Sequence, residues 1–145
     1  MEKESKQQKI KKLVWVDIKK DEDLLKSVSD YCLENDIKLG FIAVIGALQK
    51  AKFGYYNQKE KKYEEISMDK PLEIVHCLGN VSIRNDKPFV HAHISVADEK
   101  GSVFGGHLNE GCIVFAAECA IFELEGDLLK RKFNEPTGLF LWDFS

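Results

Sequence analysis

Apolar residues alternate with polar ones through most of this chain, and they recur at helical spacing in one segment only. A period of two marks half-buried strands and a period near 3.6 marks an amphipathic helix, so this imbalance restricts the fold to a sheet served by a single main helix. The helical segment carries Leu24, Leu25, Val28, Tyr31 and Cys32 and ends near Asn35. Asp21 is its predicted N-cap, with Glu22 and Asp23 in the first turn, where the helix dipole favours acids. Strands are predicted over 13–18, 40–48, 52–56, 63–68, 72–83, 89–96, 102–108, 112–124 and 139–144. The polar stretch Asn57–Lys62 reads as a hairpin tip, Asp98-Glu99-Lys100-Gly101 and Pro136-Thr137-Gly138 as turns, and Asp127–Lys132 as a short charged connection. Gly40 and Gly46 mark a bend or a close backbone approach, and Gly79-Asn80 a bulge or kink. The expected class is α+β, a mostly antiparallel sheet packed with one helix.

At 145 residues the chain is long enough for one domain with a real core, expected over residues 13–145. Residues 1–12 are rich in Lys, Glu and Gln and read as a flexible, solvated lead-in. Read instead as a basic arm for phosphates, that stretch is diluted by Glu2 and Glu4 and lacks an Arg-Gly-Arg-Pro hook. A formal net charge of −3 gives no electrostatic footprint for nucleic acid. Cys32, Cys77, Cys112 and Cys119 show no C-x-x-C spacing, and nothing near the N-terminus has the pattern of a signal peptide. The apolar run Leu39–Leu48 is too short to span a bilayer. These features together give the expectation of a cytoplasmic protein with free buried thiols and no membrane segment.

The stretch FVHAHISVADEKGSVFGGHL, Phe89 to Leu108, holds three of the four histidines. His91 and His93 share one pleated face, with Cα atoms roughly 6.6 Å apart, a span from which both rings turn onto one ion. The returning strand of the hairpin carries His107 back towards them. A shared metal, hydrogen-bonded structural histidines and an anion-binding cluster are all compatible with the pattern. Zinc is the default for an all-imidazole site, and three ligands leave a fourth position for water or substrate. His76 stands on its own strand and reads as structural. Glu118 shares alternation with Val114, Ala116, Ala120 and Phe122. A carboxylate in that company is costly unless paired, protonated or metal-linked, which makes Glu118 a candidate fourth ligand or acid–base group. The other reading of Glu118 is an exposed face or a salt bridge at a subunit contact. Glu73, within Leu72-Glu73-Ile74, poses the same question more weakly. Gly105-Gly106 could admit a neighbouring strand, subunit or ligand. No Gly-rich phosphate loop, nucleophile elbow or assignable Cys/His dyad is found.

The run HAHISVADEKGSVFGGHLNEGCIVFAAECAIFEL resembles the plants and prokaryotes conserved (PPC) domain, whose pattern is H-x-H, a turn with Asp and Gly, G-G-H-L, then G-C-x-V and a strand bearing Glu. LEIVHCLGNVSI, GFIAVIGALQKAKFGYYN and Thr137-Gly138-Leu139-Phe140 extend the resemblance to about Lys12 through Phe144. The resemblance implies an α+β fold and, for the stand-alone prokaryotic type, a homotrimer. In plants the domain follows AT-hook segments and mediates protein–protein contacts, and prokaryotic members are often labelled DNA-binding on that analogy. This chain has no AT-hook. The fold is also similar to that of α-acetolactate decarboxylase, which holds zinc with histidines. That likeness implies a metal triad of His91, His93 and His107. The family's Gly-Arg-Phe-Glu-Ile-Leu motif is departed from in Asp69-Lys70-Pro71-Leu72-Glu73-Ile74-Val75, where only the Glu-Ile core survives and the arginine is lost. The expected protein is therefore a PPC homotrimer built around the Cys112–Leu124 strand, with a zinc or small-molecule site at the three histidines. Two function classes follow: a regulatory or DNA-associated assembly module, and a zinc-dependent lyase or hydrolase in which Glu118 moves a proton.

Overall fold

The computed structural model describes residues 3–145. It contains one helix, α1 (Leu24–Glu34), and nine strands: β1 (Lys9–Ile18), β2 (Gly40–Asn57), β3 (Lys62–Met68), β4 (Leu72–Arg84), β5 (Lys87–Ala97), β6 (Val103–Leu108), β7 (Ile113–Glu125), β8 (Lys130–Asn134) and β9 (Leu139–Asp143). All nine strands belong to one sheet, ordered β1-β7-β2-β6-β5-β4-β8-β9, with β3 added to β2. All pairings are antiparallel except the short parallel step between β4 and β8. Because β2 also pairs with β4, the strands β2, β4, β5 and β6 close into a ring.

Both halves of β2 were expected as separate strands, and the structure joins them into one strand of 18 residues. Its first half lies between β7 and β4, and its second half between β3 and β6. The alternation resets because β2 changes neighbours along its length. Gly46, at φ +145°, absorbs one of these irregularities, and a Cβ there would sit 2.2 Å from the Ala116 carbonyl oxygen. Gly105 and Gly106 serve strand approach as well, since their Cβ atoms would meet the carbonyl oxygens of Ile94 and Gly54 at 2.1 and 2.4 Å. Gly79 lies in regular register between Ile42 and Ala92; the irregularity in β4 falls between Ile74 and His76 instead.

The helix begins two residues later than its predicted cap. Asp23 is the N-cap, accepting from the Lys26 backbone N at 2.9 Å, and its second oxygen accepts from Gly111 N at 2.6 Å. Asp21 instead occupies a left-handed turn at φ 72° and receives Gln49 Nε2 at 2.7 Å. Asp23 thus ties the helix start to the β6–β7 connection, a long-range bond invisible to local spacing. A second departure concerns 127–132: the last three of these residues open β8, which pairs with β9. Lys130-Arg131-Lys132 offers no apolar alternation to read, and the pairing is fixed by tertiary contacts. β1 starts at Lys9, within the stretch whose composition suggests a solvated lead-in, because its ladder to β7 reaches Lys9↔Glu125.

The helix buries Leu24, Val28 and Cys32 against one face of the sheet, among Ile42, Val44, Cys77, Ile94, Val96, Cys119 and Ile121. All four cysteines are free and buried. The opposite face carries no helix. Its side chains can be followed by register along one rung, Trp15–Ala120–Ala43–Leu78–His93–His107. A neighbouring rung runs Leu13–Phe122–Phe41–Asn80–His91. Trp15 is 73% exposed and Ile45 55%, and Leu13, Phe41 and Leu78 are exposed too. The three histidines therefore stand on the same face as an open apolar surface. Among the described residues no helix is long and apolar enough to cross a membrane.

Candidate metal centre

The two strands of the hairpin bring the histidines together in the simplest way a sheet allows. His93 and His107 are direct cross-strand partners, and His91 follows His93 at the same-face spacing of two. Ring centroids lie 5.2 Å apart for His91–His93, 5.1 Å for His91–His107 and 5.7 Å for His93–His107. One ring nitrogen from each falls within 4.8 Å of the others. His91 and His107 are half-buried and His93 is exposed. His107 Nδ1 is buried and has no hydrogen-bond partner. A buried imidazole nitrogen without a partner is costly, and an ion bound through that nitrogen would satisfy it.

Burial, then the neighbouring Arg131 charge and the other two imidazoles, push His91 down to about 4. His107 is lowered chiefly by burial, with His93 and Arg131 adding to the effect. Both rings are thus uncharged near neutral pH and present lone pairs for a cation, as metal ligation requires. The same shift has a consequence for the metal-free chain. Its folded His91 holds a proton less readily than the unfolded side chain, whose pKa is about 6.5. Between these values the unfolded state binds more protons, so stability present above the unfolded pKa is lost as pH falls toward about 4. Discounted for partial solvent exposure, the loss is on the order of 1–2 kcal/mol. Urea unfolding at pH 7.5 and pH 4.5 measures it; a His91→Gln variant should show a flatter dependence, and an unchanged slope would count against this assignment.

Three further residues complete the surroundings. Tyr63 of β3 stacks on His107 at 4.7 Å and on Tyr56 at 4.9 Å. Burial raises the Tyr63 pKa, which keeps its hydroxyl protonated at neutral pH. Tyr56 donates through its hydroxyl to the Thr137 carbonyl at 2.6 Å, tying this edge to the β8–β9 turn. Arg131 of β8 reaches across from the other side. Its Nε donates to Ser82 Oγ at 2.7 Å, Nη1 to the Phe140 carbonyl at 3.0 Å and Nη2 to Asn80 Oδ1 at 2.9 Å. The same Nη2 lies 3.4 Å from His91 Nδ1. Neither Tyr63 nor Arg131 was singled out from the sequence. The tyrosine lies beside a charged hairpin tip, and the arginine inside a basic run that gave no strand signal.

The remaining candidates stand apart. His76 is exposed, with Nε2 3.4 Å from Ser95 Oγ. Glu73 is exposed and lines an open surface cavity with Lys20, Pro71, Asp98 and Phe115. Glu118 is exposed on the helix-free face, in the rung Asp17–Glu118–Ile45. Three strand pairings, β7 to β2, β2 to β4 and β4 to β5, separate its rung from the histidine hairpin, and it is not among the clustered ligands. The cluster assembled within one chain is the three histidines.

A family model for the Plants and Prokaryotes Conserved (PCC) domain matches residues 5–125. Among solved structures, a metal-containing protein from Archaeoglobus fulgidus superposes with a TM-score of 0.91 at 36% identity, over 97% of this chain and 99% of that one. A plant- and prokaryote-conserved (PPC) protein from Pyrococcus horikoshii gives a TM-score of 0.91 at 35% identity, covering 97% of each chain. A candidate DNA-binding protein from Bacteroides thetaiotaomicron gives 0.86 at 28% identity, over 94% of this chain and 97% of that one. Among curated proteins, the Bifunctional protein GlmU of a Synechococcus strain is 27% identical over 119 residues. That match takes in 81% of this chain and 18% of the relative's length.

Proposed function

The chain belongs to the Plants and Prokaryotes Conserved (PCC) domain family, and from that premise we propose that it is a homotrimeric, cytoplasmic metal-binding module with zinc at His91, His93 and His107. The proposal treats residues 13–145 as the body of the domain, which Lys9–Lys12 join as the start of β1. The observation that carries it is the triad itself: three imidazole nitrogens, one from each ring, within 4.8 Å of one another. The donor set fits the ion, since three neutral imidazoles suit zinc and leave a coordination position open. The metal-containing relative from Archaeoglobus fulgidus supports the same reading. The proposed trimer would cover the helix-free apolar face around β7, β2 and β1.

A second reading is a zinc-dependent lyase or hydrolase acting on a small molecule. The open fourth position favours it, since among the described residues no carboxylate or thiol joins the three histidines. Bound zinc would polarise a carbonyl or lower the pKa of a water. His91 and His107 would hold the ion as uncharged imidazoles, and Tyr63 would shield one side by stacking on His107. Glu118, as a proton carrier, enters this reading across a subunit contact, since within one chain it stands outside the three-histidine cluster. The DNA-associated reading draws on the candidate DNA-binding relative. A net charge of −3 supplies little of the phosphate attraction that such binding needs.

Metal analysis of the purified protein tests the proposal. One zinc per chain is the expected result, lost in a His91→Ala, His93→Ala double variant that keeps its circular dichroism spectrum. Absence of stoichiometric metal, together with a salt-sensitive DNA shift, would move the reading to the assembly module.

A further inference from the structure

Arg131 is a charged side chain fixed in place with no carboxylate partner among the described residues. Three anchors hold its guanidinium: Ser82 Oγ, the Phe140 carbonyl and Asn80 Oδ1. Phe89 and Trp142 flank it, with ring centroids at 5.5 and 5.8 Å. The anchors are all neutral, and the neighbouring Arg84 charge acts against its own. A guanidinium has five N–H donors, and the anchors take three. A fourth, on Nη2, faces His91 Nδ1 at 3.4 Å.

Metal loading removes that last acceptor, whichever nitrogen His91 uses. If His91 binds the ion through Nδ1, the lone pair facing Arg131 is consumed. If it binds through Nε2, the neutral ring carries its proton on Nδ1, and two donors face each other. In either case an Arg131 N–H beside the cation loses its protein acceptor. A partly buried donor in that position costs free energy, and so does the approach of two positive charges. A ligand with an anionic oxygen, seated in the open coordination position, relieves both costs at once: one oxygen binds the ion and the other accepts from the guanidinium.

We infer that the metal centre takes a small oxyanion, a carboxylate or a phosphate, bridged between the ion and Arg131. The inference rests on the metal reading of the triad and adds the class of ligand. Arg131 is then a specificity residue. Metal and oxyanion bind with positive coupling, and by linkage each raises the affinity of the other.

Cobalt(II) is the probe that separates this inference from the metal reading, because its visible spectrum reports coordination changes directly. The metal-free protein is loaded with cobalt, then titrated separately with acetate and with inorganic phosphate. The expected result is a saturable spectral change with at least one of them, and the two titrations distinguish carboxylate from phosphate. In Arg131→Met the cobalt stoichiometry should hold, while the oxyanion dissociation constant rises about tenfold or more. Arg131→Lys keeps the charge and should recover part of the affinity. It also guards against misreading a loosened β8, since a purely structural loss would be shared by both variants. Bound cobalt with no response to either anion, or equal affinity in Arg131→Met, overturns the inference and leaves the metal reading standing. Failure of cobalt to bind overturns both.

Discussion

A Phe41→Asp, Ile45→Asp double variant should run as a monomer in light scattering at micromolar concentration, where the unaltered chain should run as the proposed trimer. Both residues sit on the helix-free face, and both are already exposed in the single chain, Phe41 at 42% and Ile45 at 55%. Exposed positions tolerate charge at little cost, so the isolated fold should lose less than about 1 kcal/mol. In an assembly that covers this face, each protomer would bury two unpaired carboxylates, at several kcal/mol apiece. That asymmetry turns the substitution into a test of assembly rather than of folding, provided the circular dichroism spectrum is unchanged. The Phe41 rung leads directly to Asn80 and His91. Metal affinity measured on the dissociated variant therefore adds a second reading. If it is unchanged, the site is complete in one chain; if it falls, the neighbouring subunit supports the triad. An unaltered chain that is itself monomeric would remove the trimer.

Much of this architecture is legible in the sequence because strands advertise themselves when one face is wet. Val90 to Ala97 alternates cleanly and Leu72 to Arg84 does so with an interruption between Ile74 and His76, and the triad follows from two facts of the pleat: same-face residues at a spacing of two, and a hairpin that returns its partner. The illegible parts share a cause, which is dependence on register between distant segments. Asp23 caps α1 partly because Gly111 binds its second oxygen, 88 positions away. Arg131 meets His91 because β8 docks beside β4 at Ile83↔Lys130, a parallel step that no local pattern announces. The apolar neighbours of Glu118 in sequence leave a buried carboxylate and an exposed face both open. Alternation shows which residues share a face; it cannot show that this face is left open by the helix.

Gly79→Ala should lower the melting temperature by about 6–12 °C, corresponding to roughly 3 kcal/mol for a chain of this size. Gly79 sits in the middle of β4, paired with Ile42 on one side and Ala92 on the other. An added Cβ would stand 2.2 Å from the His91 carbonyl oxygen, 2.6 Å from Ala92 Cβ and 2.7 Å from Ala92 Cα. None of these atoms is the end of a flexible side chain, so β5 itself must move. The peptide displaced is the one between His91 and Ala92, which sets the direction of the His91 ring. Metal affinity should therefore fall along with stability, by about tenfold or more, because a ligand held off its orientation binds less well even when its chemistry is intact. Gly101→Ala is the control. It lies at the open tip of the same hairpin, at φ +76° with nothing within 4 Å, so it costs only the backbone strain of a left-handed alanine, about 1 kcal/mol. Calorimetry and a zinc competition titration on both variants separate the two contributions. Equal melting of Gly79→Ala and the unaltered chain would show that β4 and β5 can spread behind the triad without penalty, and the close glycine contact would then not position the site.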